Sequence, residues 1–162
     1  MIVIDSKEQP NPLPRSIQKV DSGSAPHSLK SLKNQAMRPV DLNIFIVDDD
    51  ESILRSVRRL LLSSGYIKIA TFESAEDFLR DAVLECPCLL ILDLLLPGMS
   101  GVALHRHLQE ADHFVDTVFI SAREQELEKA RTKCPEAIAF LQKPFEKVAL
   151  LAAVRSVSGA DT

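Results

Sequence analysis

A chain of 162 residues is long enough for one domain with a proper core and a tail. Its apolar and charged shares, 46% and 26%, sit near the globular average, which excludes a chain disordered throughout. The net charge of -4 argues against nucleic acid as a direct partner, no apolar stretch approaches bilayer-spanning length, and no secretory pattern opens the chain.

Residues 1–40 carry Pro10, Pro12, Pro14, Pro26 and Pro39, several serines and scattered basic residues without apolar periodicity. They read as a flexible, mildly basic tail. From Leu42 the texture changes. Leu42 to Val47 is an apolar, β-branched run suited to a strand buried on both faces. Asp50 then caps a helix with Ile53, Leu54, Val57, Leu60 and Leu61 on one face, which Ser63-Ser64-Gly65 stops. Ile67 to Phe72 forms a second strand. Ser74 to Asp77 resembles a capping box, opening a helix with Phe78, Leu79, Ala82 and Val83 inward.

Cys88 to Leu92 gives the third strand, ending at Asp93, and the Pro97-Gly98 turn leads into a helix over Val102–Ala111 that buries Leu104 and Leu108. Asp93 is a carboxylate at the end of an apolar run. Either it caps a turn, or a cation and donors await it. Thr117 to Ser121 is a fourth strand, followed by a polar helix from Glu124 to Lys133 with Leu127, Ala130 and Cys134 on one face. Ala137 to Leu141 is a fifth strand, closed by Gln142-Lys143-Pro144. Val148, Leu151 and Ala152 stripe a last helix that ends near Val157, leaving 159–162 as a short tail. Five alternations of strand and helix call for an α/β fold: a parallel sheet with helices on both faces.

Cys86, Cys88 and Cys134 form no two-pair metal pattern, so they read as buried small hydrophobes in a reducing, cytoplasmic setting. His105 and His107 on the third helix read as surface histidines.

The polar residues gather at the carboxyl ends of the strands: Asp48 and Asp49 after the first, Asp93 after the third, Ser121 after the fourth and Lys143 after the fifth. In an open parallel sheet those ends share one edge, where ligands bind. Three converging carboxylates repel one another unless a cation neutralises them, and hard oxygen ligands favour Mg²⁺. A carboxylate beside such a metal is a nucleophile towards phosphorus, and a hydroxyl and an ammonium across the cleft suit phosphoryl oxygens.

The ordered set Ile46-Val-Asp-Asp-Asp50, Leu92-Asp-Leu-Leu-Leu-Pro-Gly-Met-Ser-Gly101, Phe119-Ile-Ser-Ala122 and Phe140-Leu-Gln-Lys-Pro-Phe145 resembles the receiver domain of bacterial two-component response regulators, over roughly residues 41–158. The resemblance implies a flavodoxin-like, doubly wound five-stranded sheet of order 2-1-3-4-5. It implies that Asp93 accepts phosphate from a histidine kinase or phosphotransfer protein, while Asp48, Asp49, Asp93 and the backbone carbonyl of Leu95 hold Mg²⁺. It further implies that Ser121 and Lys143 bind the phosphoryl group, Ala122 keeps access open, Phe140 is the aromatic switch and Pro144 is cis.

Two departures stand out: Pro135-Glu136 occupies a place where the family often has glycine, which stiffens the approach to strand five, and the apolar Leu95 cannot orient an attacking water. Residues 71–79 resemble receivers of the nodulation and nitrogen-fixation regulator type. With Thr162 closely following the last helix, the expectation is a stand-alone receiver without a DNA-binding output domain or catalysis beyond self-phosphorylation and self-dephosphorylation. It would signal to a downstream protein through the fourth helix, fifth strand and fifth helix, a surface that also suits a homodimer. The alternatives are a pseudo-receiver binding module and a Mg²⁺-dependent aspartate phosphatase. The phosphatase reading is disfavoured because no second Asp stands two residues after Asp93.

Overall fold

Residues 41–159 are described by a computed structural model; the expected tail over residues 1–40, and residues 160–162, lie outside the described residues. The elements run β1 (Asn43–Val47), α1 (Glu51–Ser63), β2 (Ile69–Phe72), α2 (Ala75–Asp81), β3 (Cys88–Asp93), α3 (Gly101–Glu110), β4 (Asp116–Ser121), α4 (Glu124–Lys133), β5 (Ala139–Gln142) and α5 (Lys147–Ser158). All strand pairs are parallel, in the order β2-β1-β3-β4-β5.

The central strands are apolar at successive positions because both faces of the sheet are covered. Phe45, Val47, Leu90, Leu92 and Phe119 point into a core shared with α2, α3 and α4. Their neighbours Ile44, Ile46, Leu89, Ile91, Val118 and Ile120 point the other way, towards α1 and α5. The period-two alternation of a strand thus turns one apolar run into two cores. Val47 pairs with Leu92, Asp93 with Ile120 and Ser121 with Gln142, so the polar residues that follow these strands emerge along one edge.

Helix starts follow the sequence. The Asp50 carboxylate accepts from the Ser52 amide, and Ser74 Oγ accepts from the Asp77 amide at 3.0 Å. The Asp77 carboxylate accepts the Ser74 hydroxyl at 2.7 Å, so the capping box closes side chain to side chain.

Several expectations shift. Strand β2 begins at Ile69, leaving Ile67 exposed, and β5 spans Ala139–Gln142 rather than starting at Ala137. Helix α2 stops at Asp81 with an extended Ala82 cap, so it has only two turns. Ala75 and Phe78 fill its buried face, whereas Leu79 and Val83 lie at the surface. In α5 the buried stripe is Leu150, Ala153, Val154 and Ser158; Val148 is 73% exposed, Ala152 is exposed and Leu151 is partly buried. The run from Val148 to Val154 is apolar on every side, so periodicity cannot set its phase and the sheet does. Cys86 is exposed because it precedes the buried strand, and His105 is buried.

Gly101 opens α3 where that helix passes under the end of β3. A Cβ there would be driven into the backbone carbonyl of Asp93. Gly98 adopts φ +75° in the turn before it.

Two measurements check this packing. In urea unfolding, Leu150→Ala should cost about 2–5 kcal/mol and Val148→Ala less than about 0.5 kcal/mol, the reverse of what the periodicity alone predicts. A helical Gly→Ala exchange ordinarily stabilises by about 0.4–1 kcal/mol. Gly101→Ala should instead destabilise by about 1–3 kcal/mol, because backbone, not a flexible side chain, must give way.

Candidate functional site

The edge formed by the strand ends gathers the expected polar groups. Asp48 directly follows β1 and is fully buried; Asp93 closes β3 and is nearly so; Asp49 faces solvent. The three residues each offer a carboxylate oxygen, and those oxygens lie within 4.8 Å of one another. Lys143, one residue beyond β5, reaches across with its ammonium. Its Nζ donates to Asp48 Oδ2 at 2.5 Å and to Asp93 Oδ2 at 3.1 Å.

The second oxygens are held by the backbone. The Asp50 amide donates to Asp48 Oδ1 at 2.9 Å, and the Leu95 amide donates to Asp93 Oδ1 at 3.0 Å. Both bonds span two residues, so each carboxylate folds back over the loop that follows its strand. Burial pushes the Asp48 carboxyl above the ordinary carboxylate range, against the opposing pull of Lys143. For Lys143, burial favours the neutral amine, but the two carboxylates outweigh it and hold the ammonium above its usual value.

Ser121 ends β4 fully buried, and its Oγ accepts from the Arg123 amide at 3.1 Å. The Lys143 amide donates to the Ser121 carbonyl at 2.8 Å, which extends the ladder and aims the lysine at the cluster. Ala122 is exposed beside it. Phe140 stands one strand away, half-buried, with its ring stacked on Phe119 at 5.6 Å between centroids and the Arg131 guanidinium 5.1 Å from its centre. The Lys143-Pro144 peptide is cis, as expected, and so is Cys86-Pro87.

The donor set is all oxygen, and Lys143 supplies one positive charge against three carboxylates. A hard divalent cation such as Mg²⁺ fits the remainder.

Sequence reasoning missed two partners of the site. Glu76, in the first turn of α2, accepts from the Met99 amide at 2.9 Å and pins the loop between β3 and α3. Their separation of 23 residues leaves no local signal. The other is Gly101, whose spacing fits any helix start and whose real constraint is the Asp93 carbonyl above it.

Among known proteins, the profile of the response regulator receiver domain matches residues 44–155. The response regulator protein TmoT of Ectopseudomonas mendocina is 36% identical over 126 residues, which cover 77% of this chain and 56% of TmoT. The transcriptional regulatory protein TdiR of Thauera aromatica is 36% identical over 115 residues, covering 70% of this chain and 49% of TdiR. The crystal structure of FixJ-N superposes with a TM-score of 0.65 at 29% identity, covering 75% of this chain and 97% of that one. The chain spans about half the length of the curated relatives it matches, and TdiR's name is that of a transcriptional regulator, so the expectation of no DNA-binding output is not supported by these relatives. With a matching profile over most of its length and the 2-1-3-4-5 sheet beneath it, this chain belongs to the response regulator receiver family.

Proposed function

We propose that this chain is the phosphoacceptor of a two-component or phosphorelay system, taking a phosphoryl group onto Asp93 from a phosphohistidine. The observation that carries the reading is the Lys143 ammonium shared between Asp48 and Asp93, with Asp93 at a strand tip. A structural salt bridge needs one acid; here one lysine serves two, and the third acid stands beside them.

In this reading an Asp93 carboxylate oxygen attacks phosphorus, the phosphorus–nitrogen bond of the donor breaks, and the leaving imidazole nitrogen takes a proton from solvent. Lys143 passes from Asp93 to the phosphoryl oxygens, and the Ser121 hydroxyl donates to another of them. Receivers of this family bind Mg²⁺ at their acidic pocket. Asp48, Asp49, Asp93 and the Leu95 carbonyl would hold it here, and when bound it offsets the charge of the carboxylates and the incoming phosphoryl group. The donor would be a histidine kinase or phosphotransfer protein. The surface of α4, β5 and α5 would carry the signal to a downstream protein or a second copy.

The test is intact-mass measurement after incubation with Mg²⁺ and acetyl phosphate. A single phosphoryl adduct is expected on the wild type and none on Asp93→Asn; an unmodified wild type would leave a binding module instead. The Leu95 side chain is apolar and at the surface, with no group to orient water. The adduct should therefore be long-lived, and Leu95→Asn should shorten its life at least about tenfold in a phosphate-release time course. Because Asp48 is held above the ordinary value of 3.8, protons compete with the metal at higher pH than for a free aspartate. Mg²⁺ affinity, read by thermal shift, should weaken as pH falls through a window that opens above that value.

A further inference from the structure

A second polar cluster lies away from the strand-end edge. His105 of α3, only 4% exposed, meets Thr117 at the start of β4 and Glu136 on the approach to β5. The fully buried Cys134, which ends α4, joins them. One nitrogen, one sulfur and one carboxylate oxygen of these residues lie within 4.8 Å of one another.

The hydrogen bonds around His105 leave a charge to be accounted for. Thr117 has one hydroxyl proton and gives it to the Val115 carbonyl at 3.0 Å. Its oxygen therefore accepts from His105 Nδ1–H at 3.1 Å. That places the lone pair of a neutral imidazole on Nε2, which stands 2.7 Å from Glu136 Oε1, an atom already accepting from Gln109 at 2.6 Å. A lone pair facing a carboxylate at that distance is repulsive. Something positive belongs between them: a second proton on the ring, or a metal ion.

Cys134 packs into the apolar core as a thiol, and its sulfur also lies within 4.8 Å of the other two donor atoms; imidazole, thiolate and carboxylate together are the ligand types of zinc. We propose that His105 Nε2, Cys134 Sγ and Glu136 form a three-ligand site for Zn²⁺, with the fourth position open to water. A dication balances one thiolate and one carboxylate, so the loaded site is neutral. Binding expels two protons to solvent, one from the Cys134 thiol and one from His105 Nε2, while the Nδ1 proton stays on the ring and is donated to the Thr117 oxygen. Tetrahedral bond lengths of about 2.0–2.3 Å place ligand atoms roughly 3.3–3.5 Å apart. The His105–Glu136 pair, now at 2.7 Å, must open to that spacing, and the sulfur starts within 4.8 Å of both atoms. Thr117 and Gln109 supply outer hydrogen bonds of the kind that orient metal ligands. A cavity of about 220 Å³, bordered by Phe114, Asp116 and Gln109, opens onto His105 and Glu136 and gives the ion a path.

The experiment uses the full reduced chain, titrated with Zn²⁺ under native mass spectrometry and with Co²⁺ as a spectroscopic substitute. A one-to-one adduct and thiolate-to-cobalt charge-transfer absorption are expected. Both should survive Asp93→Asn and the Cys86→Ser/Cys88→Ser double variant. Cys134→Ala should abolish the absorption. Glu136→Gln changes only the charge of a half-exposed side chain, and should weaken Zn²⁺ at least about tenfold with circular dichroism unchanged. Nitrogen-15 spectra should show the His105 Nε2 proton lost on zinc addition. No absorption, absorption that persists in Cys134→Ala, unchanged affinity in Glu136→Gln, or a ring that stays doubly protonated at zinc saturation would each overturn the site. None of these readouts depends on phosphorylation of Asp93.

Discussion

One ammonium holds two buried carboxylates, and much of this fold is arranged to bring the three together. Asp48 and Asp93 come from adjacent strands and Lys143 from the far edge of the sheet, two strands beyond Asp93. Taking a carboxylate out of water costs several kcal/mol, a cost that the lysine and the backbone donors at Asp50 and Leu95 offset. Removing the cation alone would strand two like charges, at a cost of roughly 3–5 kcal/mol by analogy with other broken buried pairs. The arrangement is therefore satisfied yet still negative, which suits the proposed binding of a cation followed by a phosphoryl group.

The apolar strands make that placement rigid. Leu92 and Ile91 are fully buried on opposite faces, so β3 cannot rotate to relieve Asp93. Beneath it, the bare Cα of Gly101 lets α3 approach the Asp93 carbonyl, and Glu76 fixes the intervening loop from a separate helix. Position at the site is thus set by packing on three sides, and the charges follow.

What was legible in the sequence was what depends on local pattern. The five strand–helix alternations, the Asp50 and Ser74 caps, the convergence of Asp48, Asp49, Asp93 and Lys143, and the cis Lys143-Pro144 peptide all lie in short, ordered stretches. The misses share a different cause. The phase of α5 was hidden because its residues are apolar on every side, and the length of α2 depends on where the chain must turn back towards β3. His105 looked like a surface residue on a helix whose polar positions outnumber its apolar ones. Its burial depends on Thr117, twelve residues away, and Glu136, thirty-one away. No window of sequence contains those partners.

The same residues bear on how the α4–β5 region can move. Pro135-Glu136 looked like a stiff approach to strand five on account of the proline. The contacts place the restraint on Glu136 as well, through His105 and Gln109, and on Ile138, whose amide donates to the Thr117 carbonyl at 2.8 Å. Thr117, Phe119 and Ser121 alternate onto one face of β4, so a single row of side chains runs from the His105 cluster to the strand-end site, about 13 Å along the strand. His105 packs edge-on against Phe119, and Phe119 stacks on Phe140. With the start of β5 tied down at one end and Lys143 tied to Asp48 and Asp93 at the other, β5 has little freedom to slide. Any rearrangement at Phe140 then falls to its ring, to Arg131 above it and to helix α4. That helix is the least encumbered part of the face: it buries only Leu127 and Ala130, its N-cap Arg123 makes no side-chain capping bond, and the rest of its surface is polar.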